Sequence, residues 1–124
     1  MGNIKTHKDL QVYQLSFAAG MEVYALSKMF PKEEIYSLTD QIRRSSRSVS
    51  GNLAEAWRKR RYEKSFIAKL SDCEAEAAET QVWLEYALHC GYLHASDFDQ
   101  LFQKYENILG NLVVMANQPE KWKL

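Results

Sequence analysis

The chain has 124 residues, 46% of them apolar and 26% charged, a balance that fits one globular domain and excludes a disordered chain. Sixteen Lys and Arg cancel sixteen Asp and Glu, so the chain is not a uniformly basic nucleic-acid coat. Five Gly and two Pro are too few turn formers for a sandwich or barrel of short strands, and two Cys cannot frame a disulfide scaffold.

The first helix is predicted over about 7–29, with Thr6 as its N-cap. It carries two apolar stripes. Leu10, Tyr13, Phe17, Met21 and Tyr24 form one; Val12, Leu15, Ala19, Val23 and Leu26, continued by Phe30, form the other. At about 100° per residue they lie on opposite sides. A helix apolar on two sides is either buried all round or packed on another subunit, and the second stripe is read as an oligomer interface.

Pro31 breaks this helix. Glu33 and Glu34 favour the start of the next, predicted over about 32–60. Its apolar stripe is Ile35, Leu38, Ile42, Ser45 and Ser46, Val49, Leu53, and Ala56 with Trp57. Its centre is small (Ser45, Ser46, Ser48, Ser50, Gly51), which permits a close neighbouring helix or a bend near Gly51. The third helix is predicted over about 62–90. Phe66, Leu70, Cys73, Ala77, Thr80, Leu84 and Ala87 alternate in steps of four and three, a heptad seam. Gly91 is its C′ residue, with Tyr92 and Leu93 folding back.

The fourth helix is predicted over about 96–117, capped by Ser96. Its core face is Phe98, Leu101, Phe102, Tyr105, Ile108, Leu109, Leu112, Val113 and Ala116. Pro119 ends it, and the tail frays unless Trp122 docks. The expected fold is all-α, an antiparallel up-down-up-down four-helix bundle forming a single domain over 1–124. No apolar run approaches the roughly 18 residues of a membrane span, and the opening residues hold no apolar leader segment. A cytoplasmic protein with reduced thiols and no membrane partner is expected.

The zero net charge is segregated. Residues 1–40 carry four basic and five acidic side chains, 41–64 carry eight and two, and 65–124 carry four and nine. On a helical wheel with Ile42 at zero, Arg43, Arg47, Arg58 and Arg44 fall between about 100° and 200°, opposite the apolar stripe. Lys59, Arg60 and Arg61 extend the charge into the following turn. One reading is a phosphate-binding face for RNA or DNA, with Trp57 and Tyr62 placed to stack on bases. The other is a set of arginines that pair within the chain or between subunits, leaving the protein as a scaffold for itself or another protein.

Other chemistry is thinly represented. Glu85 and His89 share one helix without the second such pair that a di-metal bundle needs. His7, His89 and His94 fit neither a triad nor a zinc set. Cys73 falls on the seam and Cys90 at a helix end. Glu79, beside the seam, reads as a structural partner for an arginine. No metal, cofactor or catalytic residue is assigned, and the expectation is a protein that is not an enzyme.

The second helix carries a resemblance. Phe30-Pro31-x-x-Glu34, then Leu38-x-x-Gln41-Ile42-Arg43-Arg44-Ser45, then Ser48-Val49-x-x-Asn52-Leu53-Ala54-Glu55 resemble the proteins encoded in intervening sequences of bacterial 23S rRNA genes. The opening Leu10-x-x-Tyr13 and the turn Gly91-Tyr92-Leu93 match as well. The resemblance implies a four-helix bundle assembled as a ring-like homopentamer. It is similar in fold to the accessory variability protein of diversity-generating retroelements, a basic pentamer that binds nucleic acid and a reverse transcriptase. The matched polar positions are Gln41, Arg43, Arg44, Asn52 and Glu55. Two features depart: Ala56-Trp57 follows Ala-Glu where the family commonly has Gly, and the neutral charge differs from the strongly basic retroelement relative.

Overall fold

Apolar residues spaced four and three apart lay one seam along the third helix, and the rest of the fold closes over it. The computed structural model describes residues 3–124; residues 1 and 2, read above for a leader, lie outside the described residues. Four long helices are α1 (Gln11–Ser27), α2 (Leu38–Arg58), α3 (Glu63–His89) and α4 (Ala95–Ala116); one further turn is α5 (Pro119–Trp122). Among the described residues there is no strand, and no helix is long and apolar enough to cross a membrane. α1 packs on α2 and α4, and α3 packs on the same two, so α1 and α3 stand diagonally across the bundle. This is the expected up-down-up-down arrangement.

The helix ends follow local chemistry. Thr6 caps a 3-10 turn (His7–Asp9) by a reciprocal capping box with Asp9, and the α-helix begins only at Gln11. After Pro31 a second 3-10 turn (Lys32–Glu34) intervenes, so α2 starts six residues later than its predicted first position, at Leu38. Glu34 reaches forward to cap it, accepting from the Ser37 hydroxyl and from the Leu38 N–H at 3.3 Å. Glu34 also accepts from the Tyr92 hydroxyl at 2.9 Å, which ties this end to the turn after α3. Gly91 has φ +80°. Its N–H bonds the Leu88 carbonyl and the Tyr92 N–H bonds the Ala87 carbonyl, a Schellman closure that needs a residue free to enter the left-handed region. His94 rather than Ser96 is the N-cap of α4, without a side-chain cap.

Every predicted seam residue of α3 is buried, and so is every predicted stripe residue of α2 except Ile35, which lies in the irregular turn and is exposed. α2 runs through Gly51 without a break. On α4 the inward residues are Leu101, Tyr105, Ile108, Leu112 and Met115, a strict four-three repeat that leaves Val113 outside. Trp122 is half-buried and packs against the core, so the turn after Pro119 docks.

The phase of α1 corrects the sequence reading. Val12, Ala19 and Val23, assigned above to an oligomer interface, are buried in this chain's own core together with Ser16 and Ser27. Leu26 is half-buried against that core, and Leu15, 38% exposed, is the one of the five that faces solvent. The reason is size. Ser16 and Ser27 each return their hydroxyl to a carbonyl one turn back, Tyr13 and Tyr24, at 2.8 Å, so both act as small inward residues. With Ala19 they let α1 approach the serine-rich centre of α2, while Phe17 and Met21 point outward.

Each pair of neighbouring helices shares a polar tie. Ser16 meets Ser50 at 3.1 Å between α1 and α2. Ser45 meets Thr80 at 2.8 Å between α2 and α3. Gln81 donates to Glu106 at 2.9 Å between α3 and α4. Lys104 donates to Glu22 between α4 and α1.

Burial pushes the Cys73 thiol up to about 12, whereas Cys90 is exposed. In the native protein a thiol-specific reagent at pH 8 is therefore expected to modify one cysteine rapidly and the second only on unfolding; fast modification of both would contradict the packing. The Glu34–Tyr92 clasp predicts a two-sided pH dependence. Hydrogen bonds from Ser37 and then Tyr92 hold the Glu34 carboxyl below the ordinary carboxylate range. Its contribution is present above the unfolded value of about 4.3 and falls away as acid protonates it. Tyr92 is pushed up to about 12, first by its hydrogen bond to Glu34. Its contribution is full below the unfolded value of about 10 and is lost as pH rises through about 12. Urea denaturation across pH should show Tyr92→Phe with a smaller alkaline decline between about 10 and 12, the remainder belonging to the Cys73 thiol and the Tyr105 hydroxyl, which burial also pushes up; an unchanged decline would remove Tyr92 as a source.

Candidate nucleic-acid interface

Alternation on α2 places its apolar residues inward and its arginines outward, as the wheel requires. Arg43, Arg44 and Arg47 line an open groove of about 760 Å³ on the outer side of α2, with Thr39, Ser48 and Gly51 between them. Tyr36 stands at one end and is 93% exposed. Asp40 and Glu55 line the same groove and oppose an incoming phosphate.

The three groove arginines are not equivalent. Arg43 is half-buried; its Nε donates to Ser27 Oγ at 2.7 Å and its guanidinium lies 4.9 Å from the centre of the Tyr24 ring. Arg44 donates to Glu79 at 2.7 Å and sits 3.6 Å from Glu76. Burial, and next a hydrogen bond with Glu79, raise the Glu76 carboxyl above its ordinary range even with Arg44 beside it. Arg47 is exposed, over the Tyr24 ring at 5.7 Å, and has no carboxylate partner among the described residues. Tyr24 thus receives Arg43 and Arg47 from α2 and Lys28 from its own helix at 4.7 Å.

The second group of cations sits at the corner between α2 and α3. Arg58, Lys59 and Arg61 are exposed, and none has a carboxylate partner among the described residues. They crowd the C-terminal end of α2, where the helix dipole favours positive charge. Arg60 is different: it lies flat on Trp57, 3.4 Å from the ring centre, and its Nε donates to the Trp57 carbonyl at 2.7 Å. Burial, then the neighbouring Arg58, lowers its pKa. Trp57 is itself buried, so it is not available to stack on a base. Tyr62 is 64% exposed, and with Arg58, Arg61 and Leu124 it borders a hollow of about 380 Å³.

The polar residues matched on α2 divide similarly. Lys69 of α3 donates to Asn52 at 3.2 Å and pairs with Glu55 at 3.2 Å, so these two bridge helices, and Glu79 serves Arg44. The hydrogen bond to Glu55 leads the causes that raise the Lys69 pKa. Gln41 is half-buried, and its side chain makes no hydrogen bond among the described residues. Sequence reading missed Tyr24, Ser27 and Lys69 as partners of this face, whereas Glu76 and Glu79 belong to the acidic side of the third helix with which the arginines could pair. The one signal for Tyr24 was Lys28 four residues on, a spacing at which helical side chains meet. Among the described residues no three His, Cys, Asp or Glu side chains gather to hold a metal ion.

Comparison with known proteins gives the relationships. The description "23S rRNA-intervening sequence protein" matches residues 8–113. No curated protein matches. Among solved structures, a protein with unknown function from the S23 ribosomal protein family of Bacteroides thetaiotaomicron VPI-5482, determined at 1.70 Å resolution, superposes with a TM-score of 0.77. It is 24% identical over 85% of this chain and 97% of its own, a likeness that establishes the fold. With a match running from the first 3-10 turn into the last turn of α4, the chain belongs to the 23S rRNA-intervening sequence protein family.

Proposed function

We propose that this protein is a non-catalytic, self-assembling helical bundle that contacts nucleic-acid phosphates through the corner formed by Arg58, Lys59 and Arg61. The observation that carries the reading is the division of labour among the seven cations singled out in the sequence. Arg43, Arg44 and Arg60 are engaged by Ser27, Glu79 and Trp57, whereas the corner trio is exposed and without a carboxylate partner among the described residues. Three cations within four residues, beside an exposed Tyr62, suit backbone contact with one stacked base. Asp40 and Glu55 make the longer groove less suited to a polyanion. A homopentamer, the assembly that the family resemblance implies, would repeat the corner five times, and repeated weak contacts gain avidity. A second reading is favoured by the Arg43–Ser27 and Arg44–Glu79 contacts: a protein-interaction scaffold, with its arginines holding helices together.

Titration into labelled structured RNA at several salt concentrations separates the two. Binding is expected to weaken steeply with salt, and reversing Arg58, Lys59 and Arg61 to Glu is expected to weaken it at least tenfold, lowering the salt slope by about two to three. Reversing Arg47 alone is expected to leave RNA binding within about threefold, since a lone phosphate contact contributes little. No binding of the unaltered protein at the lowest salt would leave the scaffold reading.

A further inference from the structure

The basic corner is shaped as well as charged. Arg58, Arg61, Tyr62 and Leu124 stand around its hollow of about 380 Å³, and Arg60 with Trp57 forms the inner side. Tyr62 and Leu124 are both largely exposed, so an aromatic ring and an apolar side chain face solvent at the edge. Among the described residues no carboxylate borders this hollow, whereas Asp40 and Glu55 line the groove along α2.

The inner side is planar and fixed. The Arg60 guanidinium lies 3.4 Å from the centre of the Trp57 ring, a stacking distance, and its Nε donates to the Trp57 carbonyl at 2.7 Å. One face of the guanidinium is covered by the indole, and the face that Arg60 presents to the hollow is the other one. Held in this way it is a flat cation whose ordering is completed on folding and not on binding. Trp57 is 3% exposed and is not itself open to a ligand. It belongs to the Ala56-Trp57 pair by which this sequence departs from the resemblance.

We propose that this hollow holds one unpaired nucleobase, laid on the free face of Arg60 beside Tyr62, and that the corner therefore takes single-stranded nucleic acid in preference to duplex. This rests on the reading that the corner contacts nucleic-acid phosphates, and it names the class of strand. A nucleobase is flat and has a π-face, which suits both a guanidinium plane and a phenol ring. Its phosphates lie outside the hollow, where Arg58, Lys59 and Arg61 are exposed. An aromatic group alone would fill the hollow and leave those three cations unanswered. A phosphate alone would answer them and leave the Arg60 face and Tyr62 bare. A nucleotide does both. A base inside a duplex has neighbours stacked on both faces and reaches Arg60 only after leaving the stack, a cost that an unpaired base largely escapes.

Fluorescence anisotropy on the full chain tests this, with a labelled RNA oligonucleotide that does not self-pair and the same oligonucleotide annealed to its complement, at matched salt. The single strand is expected to bind about fivefold more tightly or better. Tyr62→Ala and Arg60→Lys are each expected to lower single-strand affinity about fivefold, leaving duplex affinity and the salt slope unchanged, because neither removes a phosphate contact. The lysine keeps the charge and loses the plane. Arg58→Ala is the contrast: it lowers both affinities and reduces the slope by about one. Circular dichroism checks the fold; Tyr62, which is exposed and supplies no side-chain cap to α3, carries the test if Arg60→Lys disturbs Trp57. Equal binding of the two RNA forms, or Tyr62→Ala weakening neither, would overturn the base-holding hollow and leave the phosphate-contacting corner standing. No binding of either form at the lowest salt would overturn the corner reading as well. Adenosine monophosphate binding as tightly as the single strand would make the occupant a free nucleotide and overturn the choice of strand.

Discussion

The structure depends on one constraint, the need to satisfy hydroxyl groups at the centre of α2 without water. Ser45 and Thr80 are fully buried and face each other at 2.8 Å across the α2–α3 contact. Thr80 donates to its own Glu76 carbonyl at 2.9 Å, so it accepts from Ser45 across the contact, and a slip of α3 along α2 forfeits that bond together with the close fit of the two small side chains. The same small residues set the spacing. With Ser45 and Ser46 inward, α2 accepts a helix on each side, and Gly20 of α1 comes near enough that an added Cβ would stand 3.8 Å from the Ser46 carbonyl. The bulky apolar groups are displaced from the middle of α2 to its ends, where Ile42, Leu53 and Trp57 pack. The arginines then emerge on the far side at heights that this register dictates. Arg43 meets Ser27 and Arg44 meets Glu79 only because the serines have set α1 and α3 at those levels.

How much of this was legible depends on how asymmetric each helix is. The α3 seam could be read residue by residue because Phe66, Leu70, Leu84 and the small residues among them repeat in strict fours and threes. The α4 face was legible apart from the exchange of Met115 for Val113 at its end. α1 was not legible in phase. Both of its sides are apolar, and the side that went inward contains two serines, which count as polar on any hydrophobicity scale but bond to their own backbone. Two apolar sides of similar strength gave no means of choosing the inward one. The start of α2 was misplaced because the 3-10 turn after Pro31 uses the same Glu33 and Glu34 that a helix N-terminus would.

The candidate site was legible as a pattern of charge and opaque as a set of partners. A helical wheel puts four arginines on one side of α2 without help from tertiary structure. The position of Glu79 beside the seam did point to an arginine, and Arg44 meets it, but the wheel does not say that Tyr24 from α1 will lie beneath two of the arginines or that Trp57 will be buried under Arg60. Those facts depend on the relative rotation of whole helices, which one chain's periodicity does not encode. The conserved chemistry of an arginine, its planar fork and flat apolar face, suits a carboxylate, a ring or a phosphate equally, and only the neighbourhood selects among them.

The short connections have a consequence for how the bundle forms and opens. Three of the four helix contacts, α1 with α2, α2 with α3 and α3 with α4, join neighbours along the chain. The fourth, α1 with α4, joins its two distant parts and alone bears the entropy of closing a loop that contains most of the protein. Its polar tie, Lys104 to Glu22, is a solvent-exposed pair and adds little. The three successive hairpins are local and should assemble quickly, with the α1–α4 contact completing the bundle. Opening along this contact leaves α1 hinged on α2 through Ser16–Ser50 and Arg43–Ser27, while α2, α3 and α4 keep Ser45–Thr80 and Gln81–Glu106 intact. A bundle that opens between its first and last helices turns the inward face of α1 toward other molecules, which is the starting point for exchange of that helix between neighbours.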